Sequence, residues 1–259
     1  MKISIKDRSV IIIKYMGSKS KIAKYIVPII QRFIDDNEIK VYIDTHCGGC
    51  NIADKVMCDT KIASDNNKYL IALLQNLDKV SGLPDFIAKE YYADVRSCFN
   101  AGNNKYPDWY IGAVGFLASY NGRFFDGGYA GLRQTQINTV RNYYDEAKRN
   151  LVEQIPQLAG IDFRHCDYSA YKPEDYRDCL FYCDPPYKDT KKYGTSKNFD
   201  YEKFWSWAEL MSENNIVLVS EHQAPDGWNC IWEHEVKRTI DNAKSVKAVE
   251  RLYIYELLK

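Results

Sequence analysis

Apolar positions recur at helical spacing across residues 17–33, where Ile22, Ile26, Ile29, Ile30 and Phe33 share one face and Pro28 marks a kink or break. The short β-branched run 40–44 (KVYID) then reads as a strand, and the small residues 45–49 after it read as a turn. Helix is expected again over about 51–57. Residues 61–64 (KIAS) give a second strand pattern, and Leu70, Leu73, Leu74 and Leu77 line one face of the helix that follows. Strand, glycine turn, helix, strand, helix is the alternation of a parallel sheet wrapped by helices.

The texture changes after Ser81-Gly82. Residues 85–100 and 108–120 read as helices, 121–133 as glycine-rich loop, and 137–155 as an amphipathic helix with Ile137, Val140, Tyr144, Ala147, Leu151 and Ile155 on its apolar face. Strands return at 161–164 and at 178–183 (DCLFYC), followed by a helix near 201–212 and an apolar strand at 216–220. Alternation at 231–238 and 248–257 predicts an antiparallel hairpin at one edge. The expectation is an α/β sheet domain, residues 1–84 and 159–259, interrupted by a helical insertion over 85–158 that bears substrate contacts.

Composition narrows the class without choosing a ligand. With 46% hydrophobic and 27% charged residues among 259, the chain is globular rather than disordered. No apolar stretch is long enough to span a bilayer, and residues 1–14 lack a signal-peptide pattern, so a cytoplasmic protein is expected. Eight cysteines then read as reduced thiols, with Cys166, Cys179 and Cys183 as small core residues. Lys+Arg and Asp+Glu both total 35, so net charge neither favours nor excludes nucleic acid. The 21 tyrosines suit stacking surfaces or, more simply, core packing.

The sharpest chemical signal is Asp184-Pro185-Pro186-Tyr187 directly after DCLFYC. A carboxylate at the end of a buried strand sits where open α/β sheets place their ligands. Two prolines fix the backbone and remove two amide donors, leaving carbonyls as acceptors beside the aromatic face of Tyr187. Such a group suits an exocyclic amine on a planar base; the plainer reading is a proline-stiffened turn with a capping aspartate. Asp44, Gly48 and Gly49 form a strand-to-turn segment in which a backbone can approach a ligand closely, or simply a tight turn. Asp65 ends the second strand, where a nucleoside-binding α/β fold places an acid that grips ribose hydroxyls.

From Lys14 to about His222 the order of these blocks resembles the Dam-type, alpha-group (D12 class) DNA adenine N6-methyltransferases. Lys14-Tyr15-Met16-Gly17-Ser18-Lys19 is similar to the family's opening K-W-A-G-G-K, and Asp44 with Gly48-Gly49 to its V-E-P-F-x-G-x-G. Ser64-Asp65-Asn66-Asn67 resembles N-D-I-N, Tyr120-Asn121-Gly122-Arg123 resembles F-N-G-L, and Asp167-Tyr168 an Asp-Phe pair; Asp184–Tyr187 matches D-P-P-Y unchanged. The resemblance implies a Rossmann-like class I fold with a helical target-recognition insertion. It implies S-adenosylmethionine as cofactor, contacted by Tyr15, Lys19, Asp44, Gly48, Asp65, Asp167, Tyr168 and Asp184. Catalysis would fall to Asp184, Pro185 and Tyr187. Thr45-His46 stands where the family has Pro-Phe, and Cys50 where it has glycine.

For nucleic acid, Asn121, Arg123, Arg133 and Arg141 in the insertion and Lys188, Lys191, Lys192 and Lys197 past the motif are the candidates, against a solvated loop as the plainer reading of the lysines. The expected partner is double-stranded DNA with its target adenine flipped out. Cys47-x-x-Cys50 with Cys58 and His46 hints at zinc, but no second spaced pair completes four ligands and no metal is expected. His165, His222 and His234 lack a nucleophile motif and read as solvated or capped. RNA adenine, cytosine N4 and a catalytically silent binding module remain the alternatives. A nicotinamide oxidoreductase is a weaker one, because the glycine turn lacks G-x-G-x-x-G. A restriction-modification, solitary or phage methylase would each fit the chain.

Overall fold

The computed structural model of the chain describes residues 15, 17–134, 139–188, 199–241 and 244–255. Among these, the elements in chain order are α1 (Ala23–Asp36), β1 (Val41–Asp44), β2 (Thr60–Asp65), α2 (Lys68–Leu74), α3 (Lys89–Ala101), α4 (Asp108–Leu117), β3 (Leu132–Gln134), β4 (Val140–Asn142), α5 (Tyr143–Leu158), β5 (Ile161–His165), β6 (Leu180–Cys183), α6 (Tyr201–Ser212), β7 (Ile216–Glu221), β8 (Trp228–Asp241) and β9 (Lys244–Tyr255). They fall into two compact units, one made of residues 1–24, 48–55 and 67–165, the other of 25–47, 56–66 and 166–259.

The second unit holds a mostly parallel sheet whose strands follow the order β2-β1-β6-β7-β9-β8. β2, β1, β6 and β7 are parallel, with Asp44 opposite both Ala63 and Tyr182 and Cys183 opposite Val219. β9 is antiparallel to β7 and to β8, which makes the expected edge hairpin. One face of the sheet packs on α6: Phe204, Trp207, Ala208 and Met211 recur at helical spacing and bury against Phe181, Cys183, Val217 and Val219. Trp207 donates its indole N–H to the Tyr171 carbonyl at 2.8 Å, so its one polar atom is satisfied inside the core. Helix α1 runs through Pro28 instead of breaking there. Its buried residues Ile26, Ile30 and Ile34 repeat every four positions while Pro28 faces solvent, so apolar burial outweighs the missing amide.

The first unit is helical, and its apolar centre is α4, whose residues Ile111–Leu117 are all buried. Gly112 packs where a Cβ would lie 2.1 Å from the Tyr69 carbonyl oxygen, so only glycine permits α4 to lie this close to α2. Gln75 at the end of α2 donates to the Phe163 carbonyl of β5 at 2.7 Å.

Two expected helices differ. The stretch 51–57 forms isolated turns, with Lys55 N–H on the Ile52 carbonyl and the Lys55 ammonium 3.0 Å from the Asn51 carbonyl. The Lys55 amide thus bonds three residues back and not four, and Cys50 ahead of the stretch holds a left-handed φ of +56°, so no α-helix propagates. The helix expected from Ile137 starts instead at Tyr143, because Asn142 caps it by accepting from the Asp145 amide at 3.1 Å. Residues 140–142 pair with 132–134 as a hairpin, and Ile137 lies outside the described residues.

Candidate active site

Within the second unit, three carboxylates gather at the C-terminal ends of adjacent parallel strands. Asp44 ends β1, Asp65 ends β2 and Asp184 follows β6 directly. Asp44 and Asp65 are buried and Asp184 is half-buried. Asp44 accepts from the His46 amide at 3.3 Å, Thr45 N–H extends the ladder to the Tyr182 carbonyl, and Cys47 N–H reaches the Ser64 carbonyl at 2.9 Å. These bonds tie residues 45–47 to the ends of β1, β2 and β6. Asn67, next to the Asp65 motif, is a helix cap: its side chain accepts from the amides of Tyr69 and Leu70.

The residues that depart from the family pattern have a structural role. Thr45 Oγ1 lies 2.8 Å from His46 Nδ1, and the imidazole packs among Tyr168, Phe199 and Phe204 with ring centroids 5.9–6.0 Å away. Burial in this apolar ring set lowers the His46 pKa to about 4 against a smaller opposing pull from Asp167, so His46 is neutral and serves as an aromatic wall. Tyr168 is buried in the same cluster, edge-on to Phe204 and Trp207, and its phenol is pushed up to about 12 by burial first and by Asp167 next. Asp167 is exposed and caps the following turn by accepting from the Ser169 amide at 2.9 Å.

Past Asp184, Pro185 is buried and Tyr187 is 6% exposed. The Tyr187 hydroxyl donates to Glu250 Oε2 at 2.7 Å, and the His222 ring meets the Tyr187 ring edge-on with centroids 4.5 Å apart. His222 therefore packs on the motif tyrosine, contrary to the solvated or capped role expected of it. The Tyr187 pKa is raised, by burial first and then by Asp184 and Glu250, which keeps the phenol a neutral donor. On the neighbouring strands Tyr182 and Ser220 share a hydroxyl contact of 2.9 Å.

In the first unit the glycine turn is built from different parts. Gly48 has φ +47°, and a Cβ there would lie 2.9 Å from the Tyr15 ring. Tyr15 also packs on Phe116 at 5.7 Å. Ser18 accepts from Ser20 N–H at 3.2 Å and from the Asn51 amide group at 2.6 Å, which fixes the start of the turn carrying the buried Lys19. Cys50 has φ +56° and is fully buried, so a side chain occupies a left-handed position that glycine would hold without strain. Gln154 on α5 donates to the Gly49 carbonyl at 3.1 Å and to Asp54 at 2.9 Å.

Gln154 was not among the residues singled out from sequence, yet a signal existed: it is a polar residue on the buried stripe of Ala147, Leu151 and Leu158. Glu250 had no comparable signal, since alternation along β9 says nothing of what a buried carboxylate meets.

The expected nucleic-acid residues in the first unit separate into two places. Arg133 and Arg141 stand opposite one another in the β3–β4 ladder and are both exposed. Arg133 donates to the Tyr129 carbonyl at 3.1 Å, whereas Arg141 forks onto Glu146 at 2.5 and 2.7 Å. Asn121 is exposed at φ +54° and Arg123 is half-buried in the turn after α4. Lys188, in the second unit, is exposed; Lys191, Lys192 and Lys197 lie outside the described residues. Cys183 is a core thiol pushed up to about 12 by burial, and Cys179 is likewise buried while Cys166 is partly so. Among the described residues there is no group of three His, Cys, Asp or Glu side chains arranged for a metal, and no helix long and apolar enough to cross a membrane.

A mostly parallel α/β sheet of the Rossmann-like kind, with Asp-Pro-Pro-Tyr at the end of a buried strand, defines the class. The D12 class N6 adenine-specific DNA methyltransferase family matches residues 15–217, and the chain belongs to that family. It is 26% identical over 269 residues to the type II methyltransferase M.FokI of Planomicrobium okeanokoites, covering 95% of this chain and 38% of that protein. It is 22% identical over 264 residues to the type II methyltransferase M.MjaIII of Methanocaldococcus jannaschii, covering 93% and 86% respectively. The chain thus spans well under half of the first relative and most of the second. Among solved structures, PH1948 from Pyrococcus horikoshii is similar at 11% identity and a TM-score of 0.42, over 92% of this chain and 82% of that one.

Proposed function

We propose that the protein transfers a methyl group from S-adenosylmethionine to the N6 amino group of adenine in DNA, as the modification arm of a restriction-modification pair. The observation that carries this reading is Asp184-Pro185-Pro186-Tyr187 at the end of buried strand β6, beside the strand-end carboxylates Asp44 and Asp65. Family membership supports the same chemistry.

The donor set suits the implied cofactor: a buried carboxylate at the end of β2 can accept from ribose hydroxyls, and the aromatic wall of Tyr168 and His46 can receive a purine. When bound, S-adenosylmethionine supplies an already activated methyl group. What the chain must add is position and electrostatics. Adenine N6 is a poor nucleophile because its lone pair is conjugated with the ring. Asp184 and the Pro185 carbonyl would accept its two hydrogens and favour a pyramidal nitrogen, while Tyr187 stacks on the base. Roles for Tyr15, Lys19, Gly48 and Asp167 rest on the motif resemblance. A base inside a duplex cannot reach a strand-end pocket, so the target must flip out, with the insertion over 85–158 and the lysines after Tyr187 holding the strand.

Methylation of duplex DNA with labelled cofactor, followed by nucleoside digestion, tests the proposal. N6-methyladenine is expected. Methyl label in N4-methylcytosine would reject it in favour of a cytosine enzyme, and no label in the DNA would reject it in favour of an RNA enzyme or a silent binding module.

A further inference from the structure

We infer that Glu250 is a positioning residue that fixes the direction in which the Tyr187 ring points, an inference that rests on the function proposed above. The two side chains come from places 63 residues apart, the segment after β6 and the strand β9, and their hydroxyl and carboxylate meet at 2.7 Å. Both are about 6% exposed, so water competes little for this bond. The bond is charge-assisted in kind, the sort that is shorter and stronger than one between neutral groups.

Geometry gives the bond a purpose. A tyrosine ring has two free torsions, and a stacking platform works only if both are fixed before the base arrives. His222 packs edge-on against the ring at 4.5 Å, which restrains rotation of the ring about its own axis, while a bond at the hydroxyl, which lies on that axis, fixes the direction in which the ring points. Glu250 holds that end from a strand whose backbone is paired on both sides: Leu252 and Arg251 beside it ladder to Ser220 and Glu221 of β7, and Glu250 itself lies opposite His234 of β8. The edge hairpin would then do more than close the sheet. It would orient the motif tyrosine from behind.

The test is steady-state methylation of duplex DNA by the full chain carrying Tyr187→Phe, Glu250→Ala, Glu250→Gln and the Tyr187→Phe/Glu250→Gln pair. Tyr187→Phe and Glu250→Ala should each lower kcat roughly tenfold or more, the scale of losing one hydrogen bond to a charged group, with the cofactor KM unchanged. Glu250→Gln should stay within about threefold of the parent, because its amide oxygen still accepts from the phenol. The double variant should be no worse than Tyr187→Phe alone, since Tyr187→Phe already removes the hydroxyl through which Glu250 acts. Parental kcat in Glu250→Ala, a Glu250→Gln loss as deep as Glu250→Ala, or losses that multiply in the pair would each overturn the inference. If Glu250→Ala does not fold, the near-isosteric pair still decides. A parent chain that makes no N6-methyladenine overturns the functional reading and this inference with it, whereas an active parent with unaffected variants overturns the inference alone.

Discussion

His46 and Tyr168 face one another with ring centroids 5.9 Å apart and planes inclined by 28°. Burial strips water from the imidazole and disfavours its charged form, which lowers its pKa from 6.5 to about 4 against a smaller opposing pull from Asp167. The linkage has a definite sign. Between these values the unfolded chain binds a proton that the folded chain does not, so stability falls as pH drops from 6.5 toward 4.

Replacing His46 by Phe should therefore flatten the acid limb of the stability profile. From pH 7 to pH 5 the parent should lose about 2 kcal/mol more than the variant in urea unfolding. Equal losses in both proteins would remove His46 as the titrating group.

Asp65→Ala should weaken S-adenosylmethionine binding by about 1–3 kcal/mol, the usual cost of removing a charged hydrogen-bond acceptor. Titration calorimetry on the folded variant checks it, and an unchanged affinity would take Asp65 out of the ribose role.

Cys50 holds a left-handed backbone at φ +56° inside the glycine turn. Substitution by Gly should leave the protein about 1 kcal/mol more stable than substitution by Ala, because both lose the thiol but only Gly escapes the Cβ clash. Thermal melts of the two variants decide; Ala equal to or better than Gly would mean the turn relaxes without the strain assigned to it.

The insertion arginines should differ among themselves. Arg133→Gln should weaken DNA binding and lower the salt slope by about one unit if it meets a phosphate, with cofactor affinity unaltered. Arg141 is already forked onto Glu146, so its loss should matter less unless DNA displaces that partner. If neither these nor Arg123→Gln changes DNA affinity in fluorescence titrations, the recognition surface lies elsewhere.

Asp184→Ala should abolish methyl transfer while the fold and most cofactor affinity survive, since the carboxylate acts chiefly on the incoming amine. Tyr187→Ala should also be severe, through loss of a stacking platform worth about 1–3 kcal/mol per base. Normal methylation by Asp184→Ala would place the chemistry at another residue.

Much of this protein was legible in one dimension because its signals are local. The alternation of KVYID, KIAS and DCLFYC with helical stretches predicted a parallel sheet, and α6 begins and ends where Tyr201 and Ser212 placed it. Asp44, Asp65 and Asp184 could be grouped in advance, since parallel strands bring their C-terminal ends to one side whatever the packing details. What the chain alone did not determine are contacts fixed by three-dimensional packing. The stretch 51–57 has helical composition, but it follows Cys50 in a left-handed conformation and the Lys55 amide bonds only three residues back, so it stays a set of turns. His46 reads as a polar departure, and only the rings of Tyr168, Phe199 and Phe204 make it neutral and aromatic in effect. Tyr187 and Glu250 are separated by 63 residues, and no periodicity links them; their meeting was decided by β9 folding back beside β7. Local propensity and spacing act along the chain, whereas the partner of a buried polar group is chosen by the fold.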